Sequence, residues 1–384
     1  MSNLIYNHLR QITLEQAMSN EVLDEGRRRF ISASLVAVPG AAVVSSGLPA
    51  PGEASAQTKG AGPAKEPMVI GYPNEKGIQI ERVTYPARNI GTEIAAYIFK
   101  PAGFDNRKKY PSIVVTHPFG GVKEQTSGLY SAFLAEQGFV TLAFDKSYQG
   151  ESGGEPRLME VPAQHLDDIS CSIDFLVRQP FVDPNRIGSL GICAGGSYAL
   201  GNAPTEMRVK AVATVSMFNL GDARRRAMGL LSYEERMKRL KDAGEQRSKE
   251  ARGEPARLVQ ISPESTAEFT ENTPTLYREG YDYYMTPRAK HPNSPNRYVF
   301  SSLPLQMAFF PFSQVETISP RPILMIVGEK ADTRFWSDEV YDQAKEPKEV
   351  FVVKGATHID MYDKRQFVTP AVAKLKEFFD KALK

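Results

Sequence analysis

The stretch Arg186-Ile187-Gly188-Ser189-Leu190-Gly191-Ile192-Cys193-Ala194-Gly195-Gly196-Ser197 restricts this chain more than any other. A short apolar run leads into Gly-x-Cys-x-Gly-Gly, and the residues that follow read as a helix opening at Ser197. The spacing is that of a tight strand-to-helix turn, which lifts one side chain above the edge of a sheet. The turn is so sharp that a Cβ at Gly191 or Gly195 would strike neighbouring backbone. Cys193 is then held in a strained conformation, with its sulfur facing the N-terminal end of the next helix. The N–H groups and positive dipole end there favour thiolate, so the thiol is expected below its free pKa of about 8.5.

Such a turn needs a sheet around it, and the chain supplies one. The segments 78–86 and 93–100 alternate apolar and polar residues about Asn89-Ile90-Gly91, the pattern of an antiparallel hairpin. Short buried-strand runs follow at 112–116, 141–144, 187–192, 211–217, 323–327 and 349–353. Helical segments lie between several of them, at 129–137, 165–177 and 197–203, and 371–383 is an amphipathic closing helix. Strands alternating with helices imply an α/β fold, a mostly parallel central sheet flanked by helices. At 41% hydrophobic residues the chain can bury a core of that size. Residues 219–319 break the alternation and are far longer than an ordinary connection. They begin with a charged helical stretch, Tyr233–Ala251, and later turn aromatic. We read them as a helical cap inserted into a domain spanning 78–384. Most of its aromatics are expected to pack the cap onto the body.

The first 56 residues read as an export signal. Arg27-Arg28-Arg29-Phe30-Ile31 carries a twin arginine, a mildly apolar run reaches Leu48, and Ala54-Ser55-Ala56 is a cleavage signature. Cleavage after Ala56 would release a periplasmic or secreted protein with a flexible lead-in over 57–77. The apolar run holds Pro39, Gly40 and several serines, so no stable membrane insertion is expected after cleavage. The twin-arginine translocation machinery is thus an expected partner. Net charge +2 lacks the concentrated basic face of a nucleic-acid binder. No C-x-x-C or His-x-x-x-His spacing points to a metal.

A nucleophile needs a base, and the base needs a group to orient it. Of five histidines, His358 lies just after the last strand run, in Gly355-Ala356-Thr357-His358. The preceding strand run ends in Gly328-Glu329-Lys330-Ala331-Asp332, which supplies the acid. Asp332 is expected there, although the loop is one residue longer than the usual spacing and Glu329 stays in reserve. His165 is expected to be structural, His291 to belong to the cap surface, and His117 to brace its loop. An oxyanion hole requires two backbone donors. Ala194 N–H would be one, and Phe119 N–H in His117-Pro118-Phe119-Gly120-Gly121 the other, since Pro118 has no N–H.

Together with Phe144-Asp145-x-Ser147-Tyr148-Gln149-Gly150-Glu151-Ser152-Gly153-Gly154, these motifs resemble the dienelactone hydrolase-like branch of the α/β-hydrolase superfamily. They are also similar to fungal polyketide transferases and, more distantly, to X-prolyl dipeptidyl-peptidase-like esterases. The resemblance covers roughly 78–218 and 320–384. It implies hydrolysis or transfer of acyl groups from esters, lactones or thioesters, with no cofactor, on a small-molecule acyl substrate. A cysteine nucleophile fits these better than amides, because a thiolate leaves more readily than an unprotonated amine. The expected activity is an exported acyl hydrolase with a Cys193–His358–Asp332 triad, and acyl transfer on the same triad is the alternative. A binding protein that has lost turnover is a third reading, against which the complete set of motifs speaks.

Overall fold

The computed structural model describes residues 67–229 and 231–384. The segment read as an export signal, and the lead-in up to residue 66, lie outside them. Ten strands are described: β1 (Gln79–Ala87), β2 (Thr92–Lys100), β3 (Tyr110–Thr116), β4 (Val140–Phe144), β5 (Val182–Ile192), β6 (Val209–Val215), β7 (Leu258–Gln260), β8 (Arg297–Val299), β9 (Ile323–Gly328) and β10 (Lys348–Val353). Eight form one sheet in the order β1-β2-β4-β3-β5-β6-β9-β10, and β7 and β8 form a separate pair. β1 and β2 are an antiparallel hairpin, and β2 also meets β4 antiparallel. Every other pairing in the large sheet is parallel. The strands β3, β4, β6 and β9 are almost wholly buried, as parallel strands covered on both faces must be.

The helices are α1 (Thr126–Glu136), α2 (Pro162–Val177), α3 (Ala194–Asn202), α4 (Leu220–Arg226), α5 (Tyr233–Ala251), α6 (Thr275–Met285), α7 (Leu303–Met307), α8 (Arg334–Gln343), α9 (Asp360–Asp363) and α10 (Arg365–Ala382). The closing helix α10 starts six residues before the amphipathic stretch read from sequence. It buries Val368, Val372, Leu375 and Phe379. Gly188 on β5 leaves room for it: a Cβ there would lie 2.6 Å from the Phe379 ring. Elements α4 to α7, with β7 and β8, fill the chain between β6 and β9. The aromatics of this segment divide. Tyr283, Tyr298, Phe300, Phe309 and Phe312 are buried in packing, while Phe310 is exposed.

Parallel order places the chemistry. The loops after β3, β5, β6, β9 and β10 all leave the C-terminal ends of their strands, where open α/β sheets hold their ligands.

Candidate active site

β5 ends at Ile192, and Cys193 follows with φ 56° and ψ −123°, a left-handed backbone that a side chain adopts only under constraint. The constraint is visible at both flanking glycines. A Cβ on Gly191 would sit 2.1 Å from the carbonyl oxygen of Gly195, and one on Gly195 would sit 2.2 Å from that of Thr116. Cys193 N–H donates to Val215 O at 3.0 Å, pinning the turn to β6. Helix α3 begins at Ala194, three residues earlier than read from sequence, because the chain turns helical immediately after the cysteine. Ala194 N–H is therefore one of the free donors of a helix N-terminus.

Both expected oxyanion donors converge on the same place. The N–H groups of Ala194 and Phe119, and the Tyr362 hydroxyl, are placed where they favour the charged form of the Cys193 sulfur. Phe119 is carried there by the loop after β3. That loop is braced by His117, whose Nδ1 lies 2.7 Å from Pro118 O and whose Nε2 accepts from Lys146 N–H at 3.1 Å. Burial holds His117 well below the usual histidine range.

The thiol itself departs from expectation. Cys193 is buried, and desolvation pushes its pKa above the ordinary thiol value, although the Tyr362, Ala194 and Phe119 contacts pull the other way. Removing the surrounding water penalises thiolate by more than the helix end favours it. Cys193 rests as a neutral thiol. Cys171 lies in α2, and both cysteines are free.

His358 follows β10 and is buried at 1% exposure. Its Nε2 lies 3.2 Å from Tyr362 Oη, and its Nδ1 lies 2.6 Å from Thr333 Oγ1. Burial alone lowers its pKa to about 3, so the ring is neutral. The structure does not bring Asp332 to this nitrogen. Asp332 Oδ2 instead accepts from Leu276 N–H at 3.0 Å, in the first turn of α6. The loop after β9 turns the aspartate to Leu276 and the next residue, Thr333, to the histidine. Asp332 Oδ1 is buried without a partner, and desolvation raises the carboxyl pKa. Glu329 is exposed and accepts from Gly355 N–H at 2.8 Å, away from the ring.

Sequence reasoning passed over Thr333 and Tyr362. Thr333 carried no signal of its own beside an acidic neighbour. Tyr362 did: it stands four residues after His358, the separation at which side chains meet on a helical turn.

The remaining histidines lie elsewhere. His165 is buried in α2, 3.4 Å from Glu160 and 3.3 Å from Asp168, which raise its pKa against the opposing effect of burial. Glu160 also binds the buried Lys146 at 3.1 Å, so this is an ionic network behind the turn. His291 is half-buried, and its ring nitrogen accepts from Asn293 N–H.

A cavity opens over Cys193. Phe119 and Ile359 line it from the loops after β3 and β10, and Phe218, Ile261, Tyr277 and Tyr284 from the segment between β6 and β9. The walls are largely apolar; Ser262, the tyrosines and Arg224 bring polar groups, and the Arg224 guanidinium lies 4.7 Å from the Phe119 ring and 4.8 Å from the Tyr298 ring.

Residues 94–218, which hold the loop after β3 and the cysteine turn, match the model of the dienelactone hydrolase family. The uncharacterized protein YcjY of Escherichia coli is 38% identical over 307 residues, 77% of this chain and 97% of that protein. The chain belongs to the dienelactone hydrolase family. Its structure agrees with that of the hypothetical protein PA2218 from Pseudomonas aeruginosa. There the TM-score is 0.76 at 36% identity, covering 82% of this chain and 97% of the other. A fungal relative, the acyltransferase drtE of Aspergillus calidoustus, is 23% identical over 72% of this chain and 89% of that protein. As a member of the dienelactone hydrolase family, the chain is an α/β hydrolase.

Proposed function

We propose that this α/β hydrolase cleaves carboxylic esters, lactones or thioesters through an acyl-thioester on Cys193, with His358 as base and the N–H groups of Phe119 and Ala194 as oxyanion hole. One observation carries the reading: those two N–H groups lie at a sulfur held at a strained turn, with the neutral His358 imidazole behind the Tyr362 hydroxyl, beneath a largely apolar cavity. The sulfur attacks the carbonyl carbon, the oxygen takes up negative charge between the two donors, and the leaving oxygen or sulfur departs protonated. Water then releases the acid. Thr333 is the group that orients His358 in the resting enzyme.

Cys193→Ala should lower hydrolysis of short-chain nitrophenyl esters about a thousandfold or more, leaving what binding and the oxyanion hole supply. Near-normal activity in this variant, with loss in His358→Ala, would place the nucleophile elsewhere. Acyl transfer on the same residues is supported by the fungal acyltransferase relative. Product analysis with a competing alcohol separates the two: ester product in excess of acid indicates transfer.

We also propose that the protein is exported through its twin arginine. Replacing Arg27 and Arg28 with Lys should strand the precursor in the cytoplasm, and the exported form should begin at Gln57. Exported protein that retains the first 56 residues would sink this reading.

A further inference from the structure

In a nucleophile–histidine pair the imidazole nitrogen bonds the nucleophile directly. Here the place in front of His358 Nε2 is taken by a phenol. Tyr362 Oη stands 3.2 Å from that nitrogen, and Tyr362 and Cys193 line the same cavity, each acting on the other's ionisation. The hydroxyl is fixed from several sides. Tyr362 is 1% exposed, its ring packs edge-on against Tyr283 at 5.1 Å and Tyr284 at 6.4 Å, and its backbone oxygen accepts from Thr126 Oγ1 at 2.9 Å. The titratable groups facing it are Cys193, His358, Tyr283 and Tyr284. A base needs Nε2 free, which puts the ring hydrogen on Nδ1, donating to Thr333 Oγ1. A relay then needs S–H turned to Oη, O–H to Nε2 and Nδ1–H to Oγ1, an orientation in which each of these donors faces an acceptor.

We propose that Tyr362 is a catalytic residue through which His358 takes the proton of Cys193. The proposal rests on the acyl-hydrolase reading above and completes its first step. As the thiol is activated, the S–H bond breaks and its proton passes to Tyr362 Oη. The Tyr362 O–H bond breaks in the same motion, and that proton passes to His358 Nε2. Thiolate and imidazolium result, and the tyrosine is neutral again. The sulfur electron pair forms the bond to the carbonyl carbon, and the carbonyl π pair moves to the oxygen held by Phe119 and Ala194. When the intermediate collapses, the leaving group takes a proton back from Nε2 along the same route. A neutral thiol and a neutral imidazole separated by a hydroxyl are the resting state such a relay requires.

The test follows the number of protons in flight. Rates of Cys193 alkylation by iodoacetamide, and of nitrophenyl ester cleavage, are measured in mixtures of light and heavy water. A relay moves two protons together, so, once the curvature that a reactant S–H contributes by itself is divided out, the wild-type rate should still curve with deuterium fraction, whereas direct transfer leaves a straight line. Tyr362→Phe keeps the ring and the backbone contact. It should slow both reactions about a hundredfold, the scale of a lost proton-transfer group, and straighten the plot. A straight wild-type plot overturns the relay without any variant. So does a Tyr362→Phe enzyme within about threefold of wild type, or one that is faster, or one that is slowed with its curvature kept, since a purely structural role does the last. Curved alkylation kinetics in a protein that cleaves no ester would keep the relay and remove the hydrolase reading. Ester cleavage with straight plots would do the reverse.

Discussion

At the scale of single residues, Cys193 and Thr333 show which local forces prevail. The helix end and two N–H donors do act on the sulfur, but burial outweighs them and leaves a thiol, which the proposed attack must first deprotonate. The partner of His358 Nδ1 is a hydroxyl, which can orient the ring but brings no charge to offset an imidazolium. Thr333→Val should therefore lower kcat by about ten- to a hundredfold with little change in KM, because the ring loses its orientation. Asp332→Asn should lower kcat by less than about threefold if the carboxylate stays on Leu276 during turnover. A loss on the order of a thousandfold or more in Asp332→Asn would show that the aspartate swings to His358 and acts as the triad acid. Steady-state kinetics of the two variants decide between these arrangements.

Among the elements, α6 ties the segment between β6 and β9 to the loops after β9 and β10. Its N-cap residue, Pro274, offers no side-chain acceptor, and Asp332 supplies one from the loop after β9. Next to His358, Thr357 Oγ1 donates to Glu279 Oε2 at 2.6 Å. Beyond Met285, Arg288 Nε donates to Asp363 at 2.9 Å, one residue past Tyr362. The helix is thus bonded to the loops after β9 and β10, which carry Thr333 and His358. Asp332→Ala should lower stability by about 0.5–2 kcal/mol, the usual range for a lost helix cap, measured by urea denaturation. Asp332→Asn retains an acceptor and should recover most of the loss. An unchanged midpoint in Asp332→Ala would show that water caps α6 equally well.

For the whole molecule, the consequence of burying neutral histidines is acid sensitivity. The folded His358 has a pKa of about 3, below the value of about 6.5 for an unfolded histidine. Between those values the unfolded chain binds the extra proton, so stability present above pH 6.5 is lost as pH falls toward 3. His117 acts in the same direction. His165, raised by its carboxylates, acts in the opposite one. The melting temperature should fall between pH 7 and pH 4, and His358→Gln should flatten that fall. Parallel pH curves for wild type and His358→Gln would mean that His358 is not held neutral in the fold.

What the sequence determined by itself was backbone. Gly191 and Gly195 specify the turn because only glycine fits beside Gly195 O and Thr116 O, and that restriction is written in two letters. The β-branched runs gave the sheet strands within a few residues, and the loops bearing Phe119, Ala194 and His358 follow from them. α6 and α8 went unread, since their apolar spacing is set by packing against the body and the catalytic loops. Tertiary structure alone decided which side chain meets which. The course of the loop after β9 sets Thr333 rather than Asp332 on His358, and a Tyr four residues past His358 stands at its other nitrogen. The thiol's protonation state depends on how completely the loops and cap exclude water, a property of distant segments meeting. Short-range sterics are legible in the order of residues, whereas desolvation and side-chain pairing exist only once the chain has closed over the site.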